Sequence, residues 1–287
     1  WLCCCGGWTW IARSKWQNIF AYEYKMHNLP IVVVVNALIH NVAPILQWNM
    51  NNLKTMSVVC ADSGCTAKKI LSPSSAGRIF HVPLISRYTY HHKSTNGVEY
   101  EKWCFERFLV LEKFMIVHNH SRVIHIDADI QIMDVKLLSS MFALSHHAIS
   151  AHCTHCTYFA AFNLSAVIAF NTYIQKIQDN PHLIQNYSHY SDMNALIDSK
   201  LVTHVFPQSC LRQRSQARKC ALGESALPIC AIHYQGSCKK IFKSPEWRPI
   251  PLRPSWSGAV AGIKLLFCYF SASFEQCCSL ASRRWSP

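Results

Sequence analysis

The chain has 287 residues, of which 50% are hydrophobic and 12% are aromatic. This composition excludes an intrinsically disordered protein, and the length is sufficient for one large domain with a sizeable core. The formal net charge of +13 favours an anionic partner, such as a nucleotide, a nucleic acid or a membrane surface.

The first predicted elements are a peripheral segment and two strands. Residues 1–28 show no clean hydrophobic period, and we interpret them as a peripheral N-terminal segment. The β-branched run 31–35 is typical of a strand that is covered on both faces, as in a parallel sheet. A helix over 41–53 and a second apolar strand over 56–60 follow it.

An amphipathic helix is predicted over residues 102–118, after a polar loop. Its apolar residues recur at helical spacing, so we expect one buried face. Glu106, Arg107 and Lys113 are predicted to lie on the solvent side of this helix.

Two carboxylates follow the most informative strand of the sequence. The run 122–130 reads as a buried strand that ends in Asp127 and Asp129. Residues i and i+2 of an extended chain point to the same side, so we expect the two carboxylates to act together. Such oxygen ligands at a strand end suit Mg²⁺ or Mn²⁺, although a solvated aspartate pair also fits this motif. His125 of the same strand is expected to be a hydrogen-bonded core residue, with a pocket-lining histidine as the alternative.

The rest of the chain continues the alternation of helices and strands. We predict a helix over 165–177, a helix that begins at Ser191 and a strand over 202–206. Such alternation implies right-handed βαβ units and a parallel sheet. The predicted fold is therefore α/β, with a mixed, mainly parallel central sheet flanked by helices. Its domain spans residues 29–250, and a poorly defined C-terminal tail follows over 251–287.

A second motif, His-x-x-Gly-x-x-Lys, follows the apolar run 229–232. It consists of His233, Gly236 and Lys239. An imidazole can complete a carboxylate-bound metal site, a glycine lets a backbone N–H approach an anion, and a lysine supplies charge to a phosphate. Alone, the motif also fits a loop after a strand. We expect it on the same sheet as the aspartate pair, where the two motifs support each other.

Both motifs resemble those of nucleotide-sugar glycosyltransferases with the GT-A fold. In that family a helix packs before a strand that ends in the DxD motif, as residues 104–115 and 121–130 do here. The segment 191–193 is also similar to a later motif of such enzymes. The closing motif resembles the glycogenin and galactosyltransferase-like branch, and the resemblance covers roughly residues 30–243.

The resemblance implies a metal-dependent transfer of a sugar from a nucleotide-diphosphate donor, a UDP-sugar, to a hydroxyl of a carbohydrate or glycosylated acceptor. It implies that Asp127, Asp129 and His233 hold one Mn²⁺ or Mg²⁺. Gly236 and Lys239 would then contact the diphosphate. The cytoplasm and the lumen of the Golgi or endoplasmic reticulum are both compatible with this activity.

Two further residues receive candidate roles under the same interpretation. Asn36 would contact the nucleotide base at the end of the first strand, and its alternative is an ordinary turn residue. Asp192 would act as general base on the acceptor hydroxyl, and its alternative is a first-turn aspartate that the helix dipole favours.

Other functions remain as alternatives. A haloacid-dehalogenase-like phosphatase would use Asp127 as nucleophile and Asp129 as general acid, but that class normally places the motif near the start of its domain. A degenerate glycosyltransferase would bind the nucleotide without turnover. A basic nucleic-acid-binding or membrane-binding protein is a further alternative, but the positive residues form no stripe with interleaved aromatics, so we expect no nucleic-acid partner.

Cysteine is unusually frequent, with 15 residues. Their spacing shows no disulfide framework, and we expect most of them to be small core residues. Cys153 and Cys156 have the spacing of a zinc half-site, but no second Cys-x-x-Cys completes it. No run of 18 apolar residues occurs, so no transmembrane segment is predicted in this chain.

Overall fold

A computed structural model describes residues 29–36, 41–135, 138, 149–151, 153–205, 211–214 and 231–234. Of residues 211–214 and of Tyr234 only the backbone is described. The predicted segments 1–28 and 251–287 lie outside these residues, as do Gly236 and Lys239. The domain division and the roles of those two residues therefore stay predictions.

The described chain alternates between strands and helices. The strands are β1 (Ile31–Val35), β2 (Met56–Cys60), β3 (Ile79–His81), β4 (Arg122–Ile126), β5 (Ile130–Ile132), β6 (Ile149–Ala151), β7 (Phe159–Asn163), β8 (Val202–Val205), β9 (Leu211–Arg214) and β10 (Ala231–Tyr234). The helices are α1 (Ala43–Asn52), α2 (Thr66–Ile70), α3 (Val98–Val117), α4 (Leu164–Asp179) and α5 (Asp192–Ser199). Two 3₁₀ segments, Pro73–Arg78 and Pro181–Ile184, connect them. The predicted bounds of β1 and β2 are confirmed.

Seven of the strands form the main sheet, in the order β3-β2-β1-β4-β7-β6-β8. Neighbouring strands pair in parallel, except that β7 is antiparallel to both β4 and β6. Helix α3 packs on β1 and β2, and α1 packs on β2. The predicted α/β fold with a mixed, mainly parallel sheet flanked by helices is confirmed.

Strand β7 was not predicted as a strand. Its apolar run Phe159–Asn163 continues without a break into α4, which begins at Leu164. A short apolar run of this kind fits a buried strand and a buried helix equally well. Only the pairing with β4, in which Ile126 lies opposite Phe159, decides between them.

Helix α3 is buried on more than one face, because it packs against the sheet and against α4. The prediction that Glu106 and Arg107 face solvent is wrong, since they are only 3% and 7% exposed. Lys113 is half-buried. A helix that contacts elements on several sides has no single apolar stripe, so its charged residues need partners within the fold.

A second, three-stranded sheet has the order β5-β10-β9. Strand β10 is antiparallel to β5, and His233 lies opposite Ile130. The expectation that the His233 motif shares the main sheet with the aspartate pair is therefore wrong. Because β5 begins directly after the turn that follows β4, pairing with β5 still brings His233 to that turn.

Two disulfides are present among the described residues, Cys60–Cys65 and Cys153–Cys156. The buried Cys104 is the free cysteine of this part of the chain. Cys60, Cys65 and Cys156 are buried, as expected of core residues, and the pairing of cysteines within each local segment was not predicted. No described helix is both long enough and apolar enough to cross a membrane.

Candidate functional site

The candidate site lies at the carboxyl edge of the main sheet. Strands β1 and β4 are parallel neighbours, so Asn36 and Asp127, which directly follow them, lie at the same edge. Asn36 is half-buried there. Strand β4 ends at Ile126, and the Ile130 N–H donates to the Asp127 carbonyl over 3.1 Å. The two aspartates therefore lie in a turn and not, as expected, in extended backbone.

Arg107 links two carboxylates that are distant in sequence. Its Nη1 donates to Asp127 Oδ1 over 2.5 Å, and its Nη2 donates to Asp192 Oδ2 over 2.7 Å. Burial acts to lower the pKa of Arg107, but Asp127 and Asp192 outweigh it and raise that pKa above its ordinary value. The guanidinium is therefore a permanent buried cation between α3, the turn after β4 and the start of α5.

Thr157 completes this arrangement from the segment before β7. Its Oγ1 donates to Asp192 Oδ2 over 2.7 Å and accepts from Arg107 Nη2 over 3.1 Å. Asp192 is the first residue of α5, whose N-cap is Ser191, so the predicted helix start is confirmed. The Ser191 N–H donates to Asn194 Oδ1 over 3.1 Å, which fixes the first turn and the position of Asp192.

Asp129 faces the second sheet and meets His233. The distance between Asp129 Oδ1 and His233 Nε2 is 3.3 Å, and both residues are only 5% exposed. The Tyr158 ring packs against the imidazole, with 4.7 Å between the ring centroids. Residues far apart in sequence are thus adjacent in a buried environment.

Asp127 is turned toward Arg107 and does not close a trio with the Asp129–His233 pair. Among the described residues, only Cys153, His155 and Cys156 place three metal-ligating atoms within 4.8 Å of one another. The structure therefore brings together two of the three predicted metal ligands, Asp129 and His233. The third, Asp127, precedes Asp129 by two residues and contacts Arg107 instead. Burial raises the pKa of Asp127, Arg107 opposes this effect and Asp129 adds to it.

His125 lies behind the site in the core. Its Nδ1 donates to the Thr157 carbonyl over 3.2 Å, which assigns the proton to Nδ1, and its ring packs on Phe108 with centroids 5.7 Å apart. Burial, and after it the charge of Arg107, lowers the pKa of His125 to about 3. The structure thus shows the hydrogen-bonded core histidine, and the residue is neutral at physiological pH.

Asn49 and Arg107 were not predicted as site residues. Asn49 Nδ2 donates to the Ile130 carbonyl over 2.7 Å, and the Ile132 N–H donates to Asn49 Oδ1 over 3.0 Å. The amide therefore fixes β5 directly after Asp129. The sequence carried a signal for both buried polar residues. Asn49 lies at helical spacing from the apolar Ile45 and Leu46, and Arg107 lies within the apolar run of α3.

No protein-family model and no curated protein matches this chain. Among solved structures, galactosyltransferase LgtC in complex with donor and acceptor sugar analogs is similar, with a TM-score of 0.44, 9% identity, and coverage of 77% of this chain and 98% of LgtC. An active-site mutant of LgtC gives a TM-score of 0.47 and 11% identity, over 75% of this chain and 94% of the mutant. Any assignment of function therefore depends on the chemistry of the site residues.

Proposed function

We propose that the protein is a metal-dependent glycosyltransferase of the GT-A type, which moves a sugar from a UDP-sugar to an acceptor hydroxyl. The observation that carries this proposal is the convergence of Asp129 and His233 to 3.3 Å at the turn after β4. The two residues belong to two motifs that were identified independently in the sequence. Their meeting in a buried position is what a shared metal site requires.

The donor set fits Mn²⁺ or Mg²⁺. Carboxylate oxygens suit both ions, and an added imidazole nitrogen favours Mn²⁺ of the two. Neighbouring ligands of an octahedral ion with bonds of about 2.1 Å lie about 3 Å apart. The 3.3 Å between Asp129 Oδ1 and His233 Nε2 is close to that spacing. When bound, such a cation neutralises the charge that develops on a diphosphate leaving group.

Asp127 is the third ligand in this proposal. Arg107 favours its ionised form and fixes its position beside the turn, against the effect of burial. The same arginine holds Asp192, so both carboxylates are in place before any ligand arrives. Preorganisation of this kind removes the cost of ordering charged groups at the moment of reaction.

The remaining roles follow from position. Asp192 is assigned to the acceptor, and because Arg107 and Thr157 both bind its Oδ2, Oδ1 is the atom that would take the proton from an acceptor hydroxyl. Asn36 is assigned to the nucleotide base, and Gly236 and Lys239 to the diphosphate.

A haloacid-dehalogenase-like phosphatase is not favoured. In that mechanism Asp127 would attack phosphorus as a nucleophile. Its Oδ1 accepts a 2.5 Å hydrogen bond from the Arg107 guanidinium, whose positive charge makes the carboxylate a weaker nucleophile. Three strands, β1 to β3, also precede β4, whereas that class normally places the motif near the start of its domain.

Calorimetric titration with UDP, with and without Mn²⁺, tests the proposal. We expect binding only when Mn²⁺ is present. Asp129→Ala should weaken it by more than the roughly 10–100-fold that loss of an outer-shell partner costs. The control is Asp179→Ala, which removes an exposed carboxylate at the end of α4 and should bind as the unaltered chain does.

Equal heats for the unaltered chain and Asp129→Ala would reject the metal site. Mn²⁺-dependent hydrolysis of UDP-sugars by the unaltered chain, measured as UDP release, separates an active transferase from a degenerate one. Release of phosphate from a monoester substrate, lost in Asp127→Ala, would instead favour the phosphatase.

A further inference from the structure

A tight turn before β7 gathers two sulfurs and an imidazole. The ligand atoms of Cys153, His155 and Cys156 all lie within 4.8 Å of one another. The Cys156 N–H donates to the Cys153 carbonyl over 3.1 Å, and the Thr157 N–H donates to the His155 carbonyl over 3.0 Å. Neighbouring ligands of a tetrahedral zinc ion lie about 3.5 Å apart, so small side-chain rotations would suffice to close this trio around one ion.

In the structure the two sulfurs are joined in a disulfide. We propose that Cys153, His155 and Cys156 form a redox-gated zinc site, in which the disulfide is the oxidised, metal-free form. A dithiol reductant supplies two electrons and two protons, which break the S–S bond and leave two thiols, while the dithiol becomes a cyclic disulfide. Binding of Zn²⁺ to both sulfurs and to the imidazole then releases the two thiol protons.

The surroundings of the trio suit such an ion. Cys156 is buried, Cys153 is half-buried and His155 is exposed, so the trio is open to solvent on the side of the imidazole. Thiolates with an imidazole are the donor set that zinc prefers. The donors differ from those of the candidate Mn²⁺ site, so the two sites select different metals.

Tyr158 supports one of the sulfurs. Its hydroxyl lies 3.1 Å from Cys156 Sγ, and since a disulfide sulfur carries no hydrogen, the hydroxyl is the donor. A thiolate accepts such a bond more strongly than a disulfide sulfur does, because it is charged. The hydroxyl would therefore orient Cys156 as a ligand in the reduced, metal-bound form.

The other disulfide provides a matched comparison. Cys60 and Cys65 are both buried, and within the described residues no third ligand atom joins them within the same 4.8 Å. Reduction of that pair gives two thiols that no imidazole of the described residues joins as a third ligand. Any metal response specific to the Cys153–Cys156 turn should therefore survive the loss of Cys60 and Cys65.

The test is a titration of the full chain with Co²⁺, a spectroscopic probe for zinc sites, followed by displacement with Zn²⁺. After reduction with dithiothreitol and anaerobic removal of the reductant, we expect a thiolate-to-cobalt absorption band that Zn²⁺ abolishes. The oxidised chain should lack the part of this band that belongs to the turn. The double variant C153S/C156S should lose the same part, and C60S/C65S should keep it.

His155→Ala separates this site from metal binding by other cysteines of the chain. It should weaken the Co²⁺ affinity about 10-fold or more, by loss of one ligand. Circular dichroism checks that each variant is folded, and C153S, at the half-buried position, replaces the double variant if the latter does not fold. Equal bands for the unaltered chain and the cysteine variant, or an unchanged affinity in His155→Ala, would overturn the proposal.

Discussion

The two aspartates of the DxD motif belong to differently built regions. Asp127 is part of the Arg107 cluster, which comprises Arg107, Asp127, Thr157 and Asp192 and is closed by hydrogen bonds of 2.5 to 3.1 Å. Asp129 belongs to the Asp129–His233 pair, where the carboxylate meets an imidazole at 3.3 Å across the second sheet. In the first region an arginine of the chain neutralises carboxylate charge, and in the second a carboxylate and an imidazole supply two of the three donors of the proposed metal site.

The difference teaches that two proposed ligands of one metal ion can be positioned by different means, Asp127 by an arginine of the fold and Asp129 by the pairing of β5 with β10. In the Arg107 cluster the cation is supplied by the protein, so the cluster is complete when the chain folds. In the Asp129–His233 pair a carboxylate and an imidazole lie side by side, and a cation from solution would bind to both. The first region should therefore dominate stability, and the second should dominate ligand binding.

The largest expected effect comes from Arg107→Met. This change leaves Asp127 and Asp192 beside each other without their shared cation, and removal of one partner from a buried ion pair costs about 3–5 kcal/mol. We expect that loss in the free energy of unfolding, measured by urea denaturation. The variant should unfold at a much lower urea concentration than the unaltered chain.

Arg87→Met is the matched control for this change. Arg87 also contacts a carboxylate, Glu112 at 2.9 Å, but its side chain is 51% exposed. Loss of such a partly exposed pair should cost no more than about 1 kcal/mol. Equal losses in the two variants would show that the Arg107 cluster has no special weight in stability.

A smaller effect is expected from Asn49→Ala, which disturbs the Asp129–His233 pair. The change removes the partners of the Ile130 carbonyl and the Ile132 N–H, and each buried group left unsatisfied costs about 1–3 kcal/mol. Two such groups sum to about 2–6 kcal/mol, and because the shorter alanine leaves room for a water that can bond to both groups, we expect a loss at the lower end, on the order of 2–3 kcal/mol, in urea denaturation.

The same variant should also bind UDP and Mn²⁺ more weakly, because β5 carries Asp129 and pairs with His233. The control is Asn52→Ala, which removes an exposed amide that donates to the Trp48 carbonyl of its own helix over 2.7 Å. A lower free energy of unfolding in Asn49→Ala without any change in metal-dependent UDP binding would show that the position of β5 does not control the site.

The effect that is smallest near neutral pH is a pH dependence that originates behind the Arg107 cluster and grows as the pH is lowered. The native pKa of His125 is about 3, while an unfolded histidine has an ordinary value near 6.5. Between these pH values the histidine is protonated in the unfolded chain and neutral in the native protein. The free energy of unfolding therefore falls as the pH is lowered. The slope from this residue approaches about 1.4 kcal/mol per pH unit.

His125→Asn isolates that contribution. The asparagine amide can donate to the Thr157 carbonyl in place of Nδ1 and does not titrate. Urea denaturation at a series of pH values from 7.5 downward should give a shallower loss of stability for this variant. Parallel curves for the two proteins would mean that His125 is not the residue responsible.

Much of the main sheet was predictable because its signals are local. The β-branched residues of β1 and of β2 favour a strand over a helix for these short apolar runs, and the predicted bounds agree with the structure. Side-chain chemistry also identified Asp129 and His233 as partners before their distance was known. The chemistry of the two motifs suggested this step, and the resemblance to GT-A glycosyltransferases implied the ligand set.

The Arg107 cluster was not predictable in the same way. Its members come from α3, the turn after β4, the segment before β7 and the start of α5, so no local period connects them. Amphipathic patterning assigns every charged helix residue to solvent, and only long-range contacts show where that assignment fails. The second sheet was missed for the same reason, since its pairing joins β5 to a strand much later in the chain.

Sharing of one arginine by Asp127 and Asp192 makes the effects of their substitutions depend on each other. Neutralising either acid leaves the other with a full counterion, whereas losing Arg107 first exposes both to mutual repulsion. Epistasis of this kind orders the mutational paths open to the protein: one acid can be lost before the arginine, but loss of both acids would leave a buried guanidinium without these partners.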